Sequence, residues 1–165
     1  MSERVAVAFT GPSNSGKTTL VEKIAKVLIK KQKVAIIKND PKDKANFDVE
    51  GKDSHKFYQT GAEVVVTSPT RTTYFSQREK TLDDIISMIN DFDILLVEGL
   101  KNLPLPRIAI FRNEIDEDYF RYSEAIAIDD SININDYVIP SNIDILDLND
   151  INSIIEWIDN NSKTV

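Results

Sequence analysis

The chain has 165 residues, of which 41% are hydrophobic and 28% charged, enough apolar material for a real core and not the composition of a disordered or fibrous chain. Lys and Arg number 20 against 27 Asp and Glu, and the resulting net charge of -7 argues against a protein that wraps nucleic-acid backbone. With no cysteine and a single histidine, His55, there is no disulfide framework, thiolate metal site, thiol nucleophile or multi-histidine zinc site.

In chain order, residues 5–9 (VAVAF) are a short apolar run that predicts a strand. A glycine-rich turn follows, then Val21, Ile24, Ala25 and Leu28 at helical spacing. Residues 34–37 (VAII) predict a second strand, and the polar stretch 39–52, with Pro41 and Gly51, a mobile loop. Residues 64–66 are another Val run, and 71–77 (RTTYFSQ) predict an extra antiparallel strand, to which 107–112 and 119–122 are candidate additions. Leu82, Ile85, Ile86 and Ile89 mark a second helix. Runs at 94–97, 108–111 and 125–128 complete a set of six, and Ile151, Ile154, Ile155 and Ile158 mark a last helix. Unbroken Val/Ile runs read as strands buried on both faces of a parallel sheet. Strands alternating with helices predict a three-layer α/β fold with a mostly parallel central sheet. No repeat, linker or low-complexity tail divides the chain, so 1–165 is expected to be one domain. No apolar run reaches transmembrane length and no signal peptide is visible, so a soluble cytoplasmic protein without a membrane partner is expected.

The turn after the first strand reads Gly11-Pro-Ser-Asn-Ser-Gly16-Lys17-Thr18, a full match to the phosphate-loop pattern G-x-x-x-x-G-K-[ST] in the strand–turn–helix context it requires. Glycines let the backbone curl inward, so that N–H groups from Asn14 through Ser15, Gly16, Lys17 and Thr18 to Thr19 can face phosphate oxygens at a helix N-terminus. Lys17 suits the β- and γ-phosphates, Thr18 suits Mg2+, and Ser15 can help orient phosphate.

Such a loop works with an acid at the end of another strand. Glu98, after the run 94–97 and before Gly99, fits a metal-holding carboxylate at the ligand-binding edge of the sheet. Asp40, just past the second strand, is a second candidate for the metal or for positioning water. Asp53 and Ser54 fit a helix start, and His55 fits surface or packing better than a general base. The base is poorly encoded: Asp129 and Asp130 follow a strand where guanine N–H groups could be read, and residues 141–144 (SNID) are only a faint guanine motif.

Together, GPSNSGKTTL, Gly51-Lys52-Asp53-Ser54 followed by Gly61-Ala62-Glu63, and Val97-Glu98-Gly99-Leu100-Lys101 followed by Leu103-Pro-Leu-Pro106-Arg107-Ile108 resemble the molybdopterin-guanine dinucleotide biosynthesis protein B (MobB) family from about residue 4 to 112. The resemblance implies a P-loop NTPase fold of the signal-recognition/MinD-like branch. It implies GTP binding with Mg2+, weak GTP hydrolysis, a homodimer, and action as an adaptor beside the molybdenum cofactor guanylyltransferase. Lys17, Thr18 and Glu98 carry over by motif, and Asp53 gains weight from its place in a family segment. The resemblance also makes molybdopterin a candidate ligand, with Lys52, Lys101 and Arg107 as basic groups for its phosphate. The histidines that many family members carry after the second strand are absent, since residues 38–42 read KNDPK.

Two other readings stand beside the adaptor. A small-molecule kinase needs the same loop, but also an acceptor site and usually an arginine-bearing lid. A metal-delivery GTPase usually presents Cys or His ligands.

Overall fold

The computed structural model describes residues 3–165. The elements in chain order are β1 (Val5–Thr10), α1 (Lys17–Leu28), β2 (Val34–Lys38), α2 (Asp53–Tyr58), β3 (Val64–Thr67), β4 (Thr72–Phe75), α3 (Leu82–Ile89), β5 (Ile94–Glu98), β6 (Arg107–Ile110), β7 (Ala125–Ile128), β8 (Asp144–Asp147), α4 (Ile151–Asn161) and β9 (Lys163–Thr164). Two 3-10 turns, Glu117–Tyr122 and Ile134–Asp136, lie between β6 and β8. The chain divides into two compact units, one comprising the described residues up to Asn39 with Ile89–Val165, the other Asp40–Met88.

The larger unit is built on one sheet in the order β2-β5-β1-β6-β7-β8, with β9 pairing β1. All pairs along that order are parallel, and only β9 is antiparallel. The inner strands β5 and β6 are buried at every position, as continuous apolar runs demand of strands covered on both faces. On one face, Val7 and Phe9 of β1, Ile108 and Ile110 of β6 and Leu96 of β5 share a core with Leu20, Val21, Ile24 and Leu28 of α1 and Ile154, Trp157 and Ile158 of α4. The alternate residues of β6 and β7, Ala109 and Ile126, meet Phe111, Ile115, Ile132 and Ile143 on the other face, with Tyr119 and Phe120 of the 3-10 turn against them. The expected three-layer α/β arrangement with a mostly parallel sheet is present, although the cover over β6 and β7 on this second face is a 3-10 turn and loops. The segments 107–112 and 119–122 therefore do not extend an antiparallel region: the first supplies β6 of the main sheet and the second a 3-10 turn.

The edge strand β2 also departs from the expectation of burial on both faces. Ala35 and Ile37 are buried, but Ile36 is 48% exposed. Strand β8 is an element the hydrophobic pattern does not announce. It has only Ile145 and Leu146 between two aspartates, and Asp144 accepts a hydrogen bond from Trp157 Nε1 of α4 at 2.7 Å.

In the smaller unit, 71–77 does supply an antiparallel strand: β4 pairs β3 from Val64↔Phe75 to Thr67↔Thr72. The Val run 64–66 is thus half of a two-stranded hairpin and not a strand of the parallel sheet. Val64 is buried while Val65 and Val66 are exposed. Tyr58 of α2 packs edge-on against Phe75 with ring centroids 6.1 Å apart.

Candidate phosphate-loop site

The loop between β1 and α1 has the backbone its sequence calls for. Gly11 takes φ 140°, and a Cβ there would lie 2.4 Å from the Ile110 carbonyl oxygen, so no side chain fits. Asn14 and Gly16 also take positive φ, at 64° and 98°. Gly16 is the N-cap of α1 and supplies no side-chain cap, which leaves the first-turn amides of Lys17, Thr18 and Thr19 facing outward for an anion. The Ser15 hydroxyl is buried and has no hydrogen-bond partner among the described residues, an arrangement that suits a group kept for a ligand. Lys17 Nζ turns back on the loop and donates to the carbonyls of Gly11 at 2.9 Å and Pro12 at 2.5 Å.

Glu98, at the end of β5, is 8% exposed and lies in register with Phe9 of β1 and Lys38 of β2. The Thr18 hydroxyl donates to its carboxylate, with Oγ1 3.2 Å from Oε2 and 3.5 Å from Oε1. The two residues read as metal-holding from sequence are thus neighbours across the mouth of the loop. A hydroxyl and a carboxylate are hard oxygen donors of the kind Mg2+ takes, with phosphate oxygens and water completing its shell. Lys38 Nζ also sits on Glu98 Oε1 at 2.8 Å, a cation that must yield or share the carboxylate when a metal is held there. Burial lowers the Lys17 pKa from its ordinary value; Glu98 opposes this, while Lys38 and Lys101 add to it. No cluster of three or more Asp, Glu or His that could hold a metal occurs among the described residues, so such an ion would depend on the nucleotide for the rest of its ligands.

Asp40 and Asp53 belong to the smaller unit. Asp40 Oδ2 accepts from the backbone N–H groups of Lys44 at 2.7 Å and Ala45 at 2.6 Å and so shapes the start of its loop. Asp53 is the first residue of α2, paired with Lys56 at 3.5 Å, and the N-cap is Lys52. Arg107 is not a surface cation. It is 1% exposed, and its guanidinium donates to the carbonyls of Gly99, Leu100 and Leu103, holding the turn after Glu98 in shape. Lys101 lies over the Tyr119 ring, 3.8 Å from its centroid. With Arg121 and Lys163 it lines a cleft of about 670 Å³ walled by Leu103, Pro104 and Tyr122.

Sequence reasoning did not single out Arg112. It follows β6 on the other side of β1 from Glu98, beside Gly16, and pairs with Asp129. The signal available was a cation two residues past a strand and an acid just past the next strand.

The profile of the family described as molybdopterin guanine dinucleotide synthesis protein B matches residues 6–130. A relative in Methanocaldococcus jannaschii is 31% identical over 137 residues, covering 79% of this chain and 57% of its own, so the chain spans little more than half of that relative's length. The Haemophilus influenzae molybdopterin-guanine dinucleotide biosynthesis adapter protein is 31% identical over 163 residues, covering 93% of this chain and 87% of its own. Among solved structures, Bacillus subtilis MobB superposes with a TM-score of 0.76 at 22% identity, covering 95% of this chain and 98% of its own, a likeness of fold.

Proposed function

The chain belongs to the molybdopterin guanine dinucleotide synthesis protein B family, a family of molybdenum cofactor biosynthesis, and from that premise we propose that it is a GTP-binding adaptor with slow GTPase activity that assists the guanylyltransferase. The observation that carries the reading is the meeting of Thr18 and Glu98 beside Lys17 at the open start of α1. Gly11, Asn14, Ser15, Gly16, Lys17, Thr18 and Thr19 cradle the phosphates. Thr18 and Glu98 would hold Mg2+, which when bound neutralises charge on the phosphate oxygens. Asp40, as a candidate for the metal or for positioning water, and Asp53, as a candidate for the nucleotide, enter this reading on sequence position alone. The cleft bearing Lys101, Arg121 and Lys163 supports direct contact with the phosphate of molybdopterin.

Slow chemistry follows from what surrounds the loop. Glu98 is tied to Thr18 and Lys38, which leaves it poorly placed to take a proton from water. The nearest arginine to Gly16, Arg112, stands on the β6 side and not with the metal pair, whereas an arginine on the transferred phosphate is worth roughly 10³–10⁵ in rate. The reading includes a homodimer working in the cytoplasm. Strand β2 ends the hydrogen-bonded order of its sheet, and the apolar cleft between it and α1 formed by Val21, Ala25, Ile29 and Ile36 supports self-association. No helix among the described residues is long and apolar enough to cross a membrane.

The test couples a turnover assay to a pull-down with the guanylyltransferase. Slow release of GDP, a further loss in Thr18→Ala and Glu98→Gln, and retention of the partner are expected. Turnover above about 1 s⁻¹, within the ordinary enzyme range, together with no retention would overturn the adaptor. Phosphorylation of a small acceptor would favour the kinase instead.

A further inference from the structure

Glu98 and Thr18 meet on the β5 side of β1, and Arg112 follows β6 on the other side. A polyphosphate laid across the loop with its metal end at that pair would bring its other end to Arg112. A Cβ on Gly16 would lie 3.4 Å from Nε and 3.7 Å from both Cζ and Nη2 of Arg112, so the guanidinium rests against the last glycine of the loop. Its Nε is 3.4 Å from Asp129 Oδ2, at the end of β7. The other oxygen, Oδ1, accepts from the Ser131 backbone N–H at 3.1 Å and from the Ser131 hydroxyl. Ser131 Oγ in turn accepts from the Asn113 N–H at 2.8 Å, which closes a ring back to the residue after Arg112.

This ring fixes a position and contributes little to stability. The Arg112 side chain is 44% exposed, and ion pairs with that much solvent are weakly stabilising. Among the described residues nothing hydrogen-bonds to Nη1 or Nη2 of Arg112. Beyond Asp129, a cleft of about 360 Å³ opens between the ends of β7 and β8, lined by Ile128, Asp130, Ile132 and Asp147. It has apolar walls for a flat ring and carboxylates for ring N–H donors. Asp129 already accepts from Arg112 and Ser131, so it braces the arginine and is not a free acceptor for a base.

We propose that Arg112, braced by Asp129 and Ser131, is the nucleoside contact of the site: its guanidinium plane packs on the ribose and purine of a bound nucleoside triphosphate and directs the base into the cleft between β7 and β8. The proposal rests on the nucleotide-binding reading of the phosphate loop. Packing of this kind uses the flat, delocalised cation, which lysine lacks.

The test compares GTP with inorganic tripolyphosphate, both with Mg2+, by calorimetric titration into the wild type, Arg112→Ala, Arg112→Lys and Asp129→Asn, with Lys17→Ala as control. Arg112→Ala should weaken GTP about tenfold, equivalent to one decade of Kd, and leave tripolyphosphate within about twofold. Arg112→Lys should fail to restore GTP affinity, and Asp129→Asn should fall between. A melting curve for each variant separates misfolding from lost contact, and a general structural loss would weaken both ligands together. Equal weakening of GTP and tripolyphosphate in a folded Arg112→Ala would make Arg112 a phosphate ligand and overturn the proposal, as would no change in either. If the wild type bound neither ligand, the phosphate-loop reading would fall with it; wild-type binding that is lost in Lys17→Ala but untouched in Arg112→Ala would remove this contact alone.

Discussion

Lys17 is held among charges of both signs. Burial, aided by Lys38 and Lys101 and opposed by Glu98, places its pKa below the ordinary 10.5. A bound polyphosphate favours the charged amine, so the pKa is higher in the complex than in the free protein. Affinity is therefore full below the free-state pKa and is lost as pH rises through the bound-state pKa; between them, binding takes up a proton. Calorimetric titration of GTP at alkaline pH, in buffers of different ionisation enthalpy, should show proton uptake in the wild type; no uptake would place the Lys17 pKa outside the range sampled. Arg107 illustrates how a residue type can mislead. An arginine after a Leu-Pro-Leu-Pro segment fits a phosphate ligand, but its three bonds to Gly99, Leu100 and Leu103 occupy the guanidinium. Arg107→Met should cost about 3 kcal/mol, a fall in Tm of about 6–12 °C, measurable by thermal unfolding; an unchanged Tm would contradict the buried staple.

At the scale of elements, β1, the phosphate loop and α1 were legible because three independent signals agree there: an apolar run, a fixed motif and a helical stripe. Glu98 was legible because an apolar run ends abruptly in an acid, and it does lie beside Thr18. The Val run at 64–66 was misleading because apolar composition alone does not say which partner a strand finds. It pairs with β4 in a hairpin, and two of its three valines face solvent. Strand β8 gave no sign because its pairing to β7 and its clasp by α4 are tertiary, with Asp144 bound to Trp157 Nε1. Trp157→Phe keeps most of the apolar bulk and removes that bond to a carboxylate. It should cost about 2 kcal/mol, a fall in Tm of about 4–8 °C, read from circular dichroism; equal melting temperatures would show the clasp to be inert. Arg112 escaped for a related reason, since its partners Asp129 and Ser131 come from the far side of a strand crossover.

For the whole molecule, net charge argues against nucleic-acid wrapping and the lack of cysteine rules out thiol chemistry, but composition names no ligand. The phosphate-loop motif and the family match point to a nucleotide-binding fold of molybdenum cofactor biosynthesis, and the geometry at Thr18, Glu98 and Lys17 is compatible with it. The dimer belongs to this scale as well: light scattering at micromolar concentration should give twice the mass of one chain, and a monomer across that range would remove the homodimer from the account. The central claim is that the loop from Gly11 to Thr18 binds a nucleotide through Lys17. Equilibrium titration of labelled GTP with Mg2+ into the wild type and Lys17→Ala tests it most directly. The wild type should saturate, and Lys17→Ala should bind about a hundredfold more weakly, close to 2.7 kcal/mol, while keeping its circular dichroism spectrum; equal affinities for the two proteins would contradict the claim.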